Sequence, residues 1–345
     1  METLETLAER YDHFRMRDVI EGIPRQIEIA LSQEMPPIPK NRFKGIAVVG
    51  MGGSALPIDV ITCAFEECLR VPLGITRHYQ LPRSIGNEHL VIASSFSGGT
   101  EETLSAIEQL PKNADNVVCV TAGGKLGSLA RERNYPLVLL PIDKEPQGFQ
   151  PRSAVGYFVT FFARVLAAAG AMADVSSQLQ TVRPFLRGID FSEEAESMAR
   201  WLQDKIPVIY CDEAYHLAIA RTAKIKFNEN SKRPAFFNCF PEVNHNEMIG
   251  FTTGTLGKFG ILYFHDRSSH PRIQQRFKVM QSVCENAGLK HLSFRQWVIP
   301  GETKIQKIFA ALAFSERCSF NLALLDGFDP TPVDMVEKFK EALVA

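Results

Sequence analysis

The chain has 345 residues, of which 45% are hydrophobic and 22% are charged, and its formal net charge is −1 at pH 7. This length allows a large buried core and favours two domains, while the near-zero net charge predicts no nucleic-acid partner and no anionic membrane surface as a partner. The seven cysteines are odd in number and contain no Cys-x-x-Cys pair, which predicts reduced thiols in a cytoplasmic protein. Residues 1–10 are charged and amphipathic, which argues against a secretory signal.

The first forty residues predict a helical segment, with one helix over about the first sixteen residues and a second over 18–31. The proline-rich stretch 36–39 follows, and strands then alternate with helices. We expect strands at 45–49, 73–76, 90–94, 117–121 and 136–140, with helices at 54–69, 101–109 and 126–133. This alternation predicts an α/β fold in which a parallel sheet is covered on both faces.

The apolar segment 154–173 is long enough to raise the question of a membrane span. Arg164 in its middle, with Gly156 and Gly170 near its ends, favours a buried core helix instead. The second half repeats the alternation, with expected strands at 207–210, 257–265 and 292–299 and helices at 215–228, 271–287, 305–325 and 332–344. We predict two doubly wound, flavodoxin-like parallel-sheet domains over 41–180 and 190–345, after the helical segment 1–40 and with extra helices at the C-terminus.

The first glycine loop, residues 50–55, reads Gly-Met-Gly-Gly-Ser-Ala directly after a predicted strand and fits the dinucleotide pattern G-x-G-x-x-G/A. The acid expected at the end of the next strand is missing, and Thr76-Arg77-His78 stands there instead. Arg77 would suit a 2′-phosphate, yet nothing else indicates a nicotinamide site. A tight turn selected only for packing is the third interpretation.

The second loop, residues 94–100, reads Ser-Ser-Phe-Ser-Gly-Gly-Thr and also follows a predicted strand. It offers hydroxyls, backbone N–H groups and a helix N-terminus to one anion. We expect Thr100 to cap the next helix, with Glu101 and Glu102 favourable in its first turn. The loop has no lysine of the kind that nucleoside triphosphate loops carry, which favours a single phosphate on a small molecule.

Acid, base and cation candidates lie in three further segments. Arg152 precedes the long apolar helix and suits an oxyanion, although an ordinary surface ion pair is an equal alternative from spacing alone. Glu229 ends a predicted helix, and His245 lies in a loop, which together suit proton abstraction and ring opening. Glu242 and Glu247 compete for the carboxylate role, and His245 has a structural alternative as a hydrogen-bonding residue. The eight histidines are dispersed, which predicts no metal site.

The two serine-rich loops together resemble the sugar isomerase (SIS) domains that bind phosphosugars. The motifs Gly-Met-Gly-Gly-Ser, Ser-Phe-Ser-Gly-Gly-Thr-Glu-Glu-Thr, Pro-Arg-Ser-Ala, Asn-Glu-Asn and Glu-Val-Asn-His-Asn-Glu-Met-Ile-Gly-Phe occur in this order. They resemble the bifunctional phosphoglucose/phosphomannose isomerases from about Met16 to the C-terminus. Gly99 is a departure, because the family usually has Asn or Asp before the threonine.

The resemblance implies a role for each matching residue. Glu229 would move the proton between C1 and C2, Arg152 would stabilise the enediolate, and His245 of a partner subunit would assist ring opening. A C-terminal lysine would share in ring opening. We prefer Lys340 over Lys338 because it falls on the helix face that Val333, Val336 and Leu343 form and that is expected to be buried. Implied substrate contacts are Gly52, Gly53, Ser54, Ser95, Ser97, Thr100 and Thr331.

The resemblance therefore implies a metal-independent aldose–ketose isomerase without a cofactor that interconverts glucose 6-phosphate and mannose 6-phosphate with fructose 6-phosphate through a cis-enediolate. The resemblance implies a homodimer. One alternative is a non-catalytic phosphosugar-binding SIS protein, although no basic N-terminal DNA-binding module is visible. A less favoured alternative is a nicotinamide-dependent dehydrogenase, which rests only on the first loop.

Overall fold

Two parallel sheets form the framework of the protein in a computed structural model, which describes residues 2–40, 43–254 and 257–344. The first sheet consists of β1 (Gly45–Gly50), β2 (Leu73–Thr76), β3 (His89–Ser95), β4 (Val117–Thr121) and β5 (Leu137–Leu139). The second consists of β6 (Ile206–Asp212), β7 (Phe236–Phe240), β8 (Phe259–His265) and β9 (Leu292–Val298). Their spatial orders are β2-β1-β3-β4-β5 and β7-β6-β8-β9.

Helices precede, connect and follow these strands. In chain order they are α1 (Leu4–Tyr11), α2 (Met16–Ser32), α3 (Leu56–Phe65), α4 (Glu101–Glu108), α5 (Gly124–Glu132), α6 (Val155–Ala168), α7 (Ser176–Gln180), α8 (Val182–Arg187), α9 (Ser192–Leu202), α10 (Thr222–Asn230), α11 (Pro271–Asn286), α12 (Lys304–Leu325) and α13 (Asp334–Val344). The order of the first sheet is that of flavodoxin-like folds. The predicted α/β class with parallel sheets is confirmed.

Each sheet is apolar on both faces because alternate residues of its strands point to opposite sides. In the first sheet, Val48 and Ile92 belong to the largest apolar cluster, while Val91 and Cys119 belong to a separate cluster with α4 and α5. The second sheet shares the largest cluster on one face and packs against α11 on the other. One core therefore runs through both halves of the chain.

The long apolar segment forms α6, which is buried as predicted. Arg164 reaches back to α2, where its Nη1 donates to the carbonyls of Ala30 and Gln33 at 2.6 Å each. Helix α12 is by length and composition able to cross a membrane, but 83% of its apolar window is buried inside the protein. It begins with a capping box between Thr303 and Gln306.

The structure adds elements that the sequence pattern did not predict. Strand β7 lies at the edge of the second sheet between Pro234 and Pro241, and its run Phe-Phe-Asn-Cys-Phe lacks the alternation of a half-buried strand. Helices α7, α8 and α9 occupy the region where we expected the two halves to divide. The helix expected from residue 215 opens with a π-helical stretch at His216–Arg221. The predicted boundary at residue 41 lies outside the described residues, and the division into domains stays a prediction.

Candidate active site

The first glycine loop lies where β1 ends, between its neighbours β2 and β3. This is a switch point of a doubly wound sheet, where the carboxyl ends of the strands leave a crevice. Ser54 is buried, and its Oγ accepts a hydrogen bond from the N–H of Phe96 at 2.9 Å. Its carbonyl accepts from Ser94 Oγ at 2.8 Å. Ser54 therefore ties the first loop to the second.

The second loop places its hydroxyls at the end of β3 and the start of α4. Ser95 Oγ and Thr100 Oγ1 are 2.8 Å apart, and Ser97 Oγ accepts from the N–H of Gly99 at 3.2 Å. The predicted cap by the Thr100 side chain is wrong: Thr100 occupies the N-cap position, but its hydroxyl bonds Ser95 and accepts nothing from the helix. Ser97 stays exposed at the mouth of the loop.

A third loop, at residues 121–124 after β4, supports the second and was missed by the sequence reasoning. Gly98 has φ +69°, and a Cβ there would lie 1.9 Å from the carbonyl oxygen of Gly123. The N–H of Leu126 donates to the carbonyl of Gly98 at 2.8 Å. The signal available in the sequence was the pair Gly123-Gly124 one residue after a predicted strand.

Gly53 brings the first loop against the segment that carries Arg152. A Cβ on Gly53 would lie 2.8 Å from the carbonyl carbon of Pro151 and 2.9 Å from the backbone nitrogen of Arg152. Only a residue without a side chain permits this approach. The glycine loop and Arg152 are therefore neighbours in space, although about a hundred residues separate them in the chain.

Arg152 and Glu229 form an ion pair, with 3.2 Å between Nη1 and Oε2. Arg152 is 1% exposed, which excludes the ordinary surface ion pair, whereas Glu229 at the end of α10 is only half-buried. The Nη2 of Arg152 donates to the carbonyls of Pro330 and Thr331 at 3.0 and 2.9 Å. Burial lowers the pKa of Arg152, and the charge of Glu229 opposes that shift.

Two groups beside this pair are open to a ligand or to a change of protonation. Thr331 is buried, and its Oγ1 has no hydrogen-bond partner among the described residues. Lys232, which the sequence reasoning did not single out, donates from Nζ to the carbonyls of Glu229 and Pro330 at 2.7 and 3.0 Å. Burial, followed by the positive charge of Arg152, lowers the pKa of Lys232 to about 8. Lys232 also has φ +57°, which is uncommon for a residue with a side chain.

Among the described residues, His245 makes no hydrogen bond or ion pair with Arg152 or Glu229. It is exposed in the loop after β7, and across the described residues its side chain has no hydrogen bond or ion pair. Of the competing carboxylates, Glu247 accepts from Tyr210 Oη at 2.5 Å and from Asn238 Nδ2. Glu242 accepts from Asn246 Nδ2 at the surface. Neither of these two carboxylates contacts Arg152.

Helix α13 does not pack as the sequence pattern predicted. The prediction that Val333, Val336 and Leu343 form a buried stripe is wrong, because Val336 and Leu343 are exposed and Val333 is only half-buried. Lys340 is exposed and pairs with Glu337 on the same helix, with 2.7 Å between Nζ and Oε1. No residue of α13 whose side chain the structure describes is buried, so helical spacing does not discriminate Lys340 from Lys338.

Arg77, which would have suited a 2′-phosphate, forms an ion pair within the chain instead. Arg77 pairs with Asp59 on α3 at 3.2 Å, and Arg221 contacts the same carboxylate. Within residues 2–40, 43–254 and 257–344, no three His, Cys, Asp or Glu side chains come together in a way that could hold a metal ion. All seven cysteines are free.

Comparison with known proteins places this site in context. Residues 191–343 match the bacterial phospho-glucose isomerase C-terminal SIS domain. A bifunctional phosphoglucose/phosphomannose isomerase of Caldicellulosiruptor bescii is 30% identical over 311 residues, which cover 86% of this chain and 89% of that protein. A D-glucosamine-6-phosphate 4-epimerase of Sulfolobus acidocaldarius is 31% identical over 235 residues, which cover 68% of this chain and 72% of that protein.

The fold also has counterparts among solved structures. The C-terminal domain of glucosamine-fructose-6-phosphate aminotransferase from Francisella tularensis has a TM-score of 0.69 at 14% identity. The match covers 94% of this chain and 99% of that one. At this level of identity the likeness concerns the fold alone.

Proposed function

The chain belongs to the bifunctional phosphoglucose/phosphomannose isomerase family, and from this premise we propose that it interconverts glucose 6-phosphate and mannose 6-phosphate with fructose 6-phosphate. The observation that carries the proposal is the ion pair of buried Arg152 with half-buried Glu229, 3.2 Å apart beside the glycine loop. Removal of a proton next to a carbonyl needs a base and a fixed positive charge for the oxygen that becomes negative. This pair supplies both.

Glu229 removes the proton from C2 of the open-chain aldose, and the C–H electron pair forms the C1–C2 double bond of a cis-enediolate. The negative charge that develops on the carbonyl oxygen is stabilised by Arg152. Glu229 then returns the proton to C1, while the proton of the C2 hydroxyl passes to the C1 oxygen, so that C2 becomes the ketone and C1 carries the hydroxyl. Because both epimers give the same enediolate, one base serves both once the open chain rotates about C2–C3.

The other predicted site residues bind the substrate and open its ring. The phosphate is held by the loops that contain Gly52, Gly53, Ser54, Ser95, Ser97 and Thr100. Ring opening uses His245 of a partner subunit and Lys340, with Lys338 as the alternative. The unpartnered hydroxyl of Thr331 supports its assignment to the sugar, since a buried polar atom without a partner is costly.

The reaction as proposed requires no metal ion and no cofactor, because proton transfer and charge stabilisation both come from side chains. The enzyme works as a homodimer in the cytoplasm. The seven free cysteines support a reducing compartment.

The test is a coupled assay of the EDTA-treated chain that follows fructose 6-phosphate from glucose 6-phosphate and mannose 6-phosphate in parallel. We expect turnover of both. Turnover of neither substrate, with sugar-phosphate binding retained in calorimetry, would favour the non-catalytic phosphosugar-binding alternative. Glucosamine 6-phosphate is the comparison substrate, since one relative is named as an epimerase of that compound; epimerisation in place of isomerisation would contradict the proposal.

The base is tested with Glu229→Gln and a matched control. Glu242→Gln removes an exposed carboxylate that accepts from Asn246 Nδ2 and is not among the hydrogen-bond partners of Arg152. We expect Glu229→Gln to lose at least about 100-fold in kcat and Glu242→Gln to stay within about twofold of the unchanged chain. Activity of Glu229→Gln within about tenfold of the unchanged chain would remove Glu229 from the base role.

A further inference from the structure

A group of buried polar side chains lies behind the guanidinium of Arg152 and takes no direct part in the proposed proton transfer. Lys226 and Asn230 lie on α10, and Glu316 and Ser319 lie on α12. Lys226 is 0% exposed and Glu316 is 1% exposed. Removing a charge from water costs several kcal/mol per ion, and hydrophobic residues often replace such pairs without loss. A buried ion pair beside the proposed catalytic residues therefore suggests a function beyond stability.

The hydrogen bonds of this group converge on Arg152. Glu316 accepts on both oxygens, from Lys226 Nζ at Oε1 and from Asn230 Nδ2 at Oε2, the latter at 3.0 Å. Lys226 Nζ also donates to the carbonyl of Arg152. Asn230 Oδ1 accepts from Arg152 Nε at 2.6 Å. The backbone and the guanidinium of Arg152 are thus both held by groups that bond the same carboxylate.

Glu316 selects the orientation of the Asn230 amide. The Nδ2 of Asn230 faces Glu316 Oε2 and also Ser319 Oγ, at 2.9 Å. An ionised carboxylate only accepts hydrogen bonds, so it requires the NH₂ group of Asn230 on its side. The amide oxygen is then left for Arg152 Nε. With the amide reversed, two donors would face each other at Arg152.

We propose that Glu316 is a positioning residue that holds Arg152, through Asn230 and Lys226, in the orientation that isomerisation needs; this rests on the proposed function. The Nε and Nη2 of Arg152 are occupied by Asn230 and by backbone carbonyls. Nη1 donates to Glu229 at 3.2 Å and to the side-chain oxygen of Gln150 at 3.4 Å, and its contact with the half-buried Glu229 is the one that changes during the reaction. When Glu229 takes the substrate proton, Nη1 turns from the neutralised carboxyl to the enediolate oxygen while the rest of the guanidinium stays fixed.

The first variant is Glu316→Gln. Both partners of Glu316 are donors, and glutamine has one oxygen and one NH₂, so one donor–donor contact is unavoidable. We expect kcat to fall by about 10- to 100-fold with KM within about threefold, because Arg152 is misplaced and the phosphate loops are untouched. The matched control is Ser315→Ala on the same helix, where the buried hydroxyl donates to the Ala311 carbonyl at 2.7 Å. It should leave kcat and KM unchanged.

The second variant restores the lost hydrogen-bond acceptor by placing a carboxylate at position 230 in place of the one removed at position 316. In Glu316→Gln with Asn230→Asp, the new carboxylate accepts from Arg152 Nε and from the Gln NH₂ group, and the Gln oxygen accepts from Lys226. The net charge of the network is unchanged. We expect kcat to return to within about threefold of the unchanged chain, whereas Asn230→Asp alone, which sets two carboxylates against each other, should lower it.

A spectroscopic readout separates this proposal from the proposed function. The Arg152 Nε–H should give a slowly exchanging ¹H–¹⁵N signal that Glu316→Gln removes and the double variant restores, whether or not the chain turns over substrate. A wild-type chain that lacks isomerase activity would reject the proposed function alone. A folded Glu316→Gln with an unchanged Arg152 signal or an unchanged kcat would overturn the positioning role. If Glu316→Gln does not fold, the test rests on the double variant of Glu316→Gln with Asn230→Asp. Absence of the Arg152 Nε–H signal in that double variant would overturn the positioning role of Glu316.

Discussion

At the scale of single residues, Gly53 sets the distance between the glycine loop and Arg152. Its missing side chain leaves room for the backbone of Pro151 and Arg152, which a Cβ would meet at 2.8 and 2.9 Å. Backbone atoms do not yield as the end of a flexible side chain does. A methyl group at this position must therefore push the Arg152 segment away from the loop.

We predict that Gly53→Ala lowers kcat by about 10- to 100-fold, because misplacement of Arg152 by about 1 Å is enough for a loss of that size. The measurement is kcat together with the melting temperature. The matched control is Gly86→Ala, where no atom of the described part of the chain lies within 4 Å of the added methyl group and both values should stay unchanged. An unchanged kcat in Gly53→Ala would show that the segment yields without affecting the site.

The amine of Lys232 gives a prediction on pH. Its folded pKa of about 8 lies below the ordinary lysine value of 10.5, so between these two values the unfolded chain binds more protons than the folded one. Stability then rises with pH across that window. Urea unfolding from pH 7 to 10 should show the unchanged chain gaining stability relative to Lys232→Met above about pH 8. A difference that is constant or falls with pH would contradict the lowered pKa.

Residue types in motifs predicted Arg152 and Glu229, and the two do contact each other. The sequence did not indicate the network behind them, because Glu316 lies 86 residues from Asn230 inside a largely apolar helix. The signal available in the sequence was the charge of Glu316 within the apolar run of α12, which indicates a buried charge. Its partner could not be identified, since the contact depends on how α10 and α12 pack.

At the scale of elements, the end of β8 is linked to α12 through Asp266. Lys307 Nζ lies 2.8 Å from Asp266 Oδ1, and Tyr215 Oη donates to Oδ2 at 2.7 Å. Burial alone would raise the pKa of Asp266. The hydrogen bonds from Lys307, Ser268 and Tyr215 outweigh it and hold the pKa at about 2.

We predict that Asp266 stabilises the fold through this shift by about 2 kcal/mol above about pH 4, and that the contribution is lost as the pH falls through about 2. The sign follows because a carboxyl with a lowered folded pKa is charged in the folded state while the unfolded chain takes up the proton. Urea unfolding of the unchanged chain and Asp266→Asn should therefore show a difference in stability that shrinks by about 1 kcal/mol between pH 6 and pH 3. A difference that grows towards acid pH would contradict this assignment.

Alternation of short apolar runs with helical periods predicted most elements to within a few residues. The pattern was insufficient where tertiary contacts decide the structure. Strand β7 forms by pairing with β6, which its own sequence does not predict. Helix α13 exposes apolar residues on a helix whose spacing predicted a buried face: Met335 is 85% exposed and Phe339 is 63% exposed. Periodicity shows that a helix has an apolar face, but not what covers it.

At the scale of the whole molecule, the site draws on segments from both halves of the chain. Arg152 follows the first sheet, Glu229 lies on α10 after β6, and Thr331 follows α12. The sequence predicted the two sheets but not the way they meet, because that depends on the shared core around α6 and α12. His245 remains outside this cluster on an exposed loop, where Ile249 is 73% exposed. The proposal that His245 serves the site of a second copy of the chain requires such an accessible position.

We predict that mixing two inactive variants restores activity if His245 serves the site of the partner subunit. In a mixed dimer of Glu229→Gln and His245→Ala, one site carries both defects and the other carries none. Half of the dimers are mixed after random reassociation, so about one quarter of the unchanged activity should return. The control mixes Glu229→Gln with Arg152→Gln. These residues form an ion pair within one chain, so no mixed dimer has an intact site and no activity should return. Failure of the first mixture to recover, after exchange of subunits is confirmed by mass spectrometry, would place His245 in the site of its own chain.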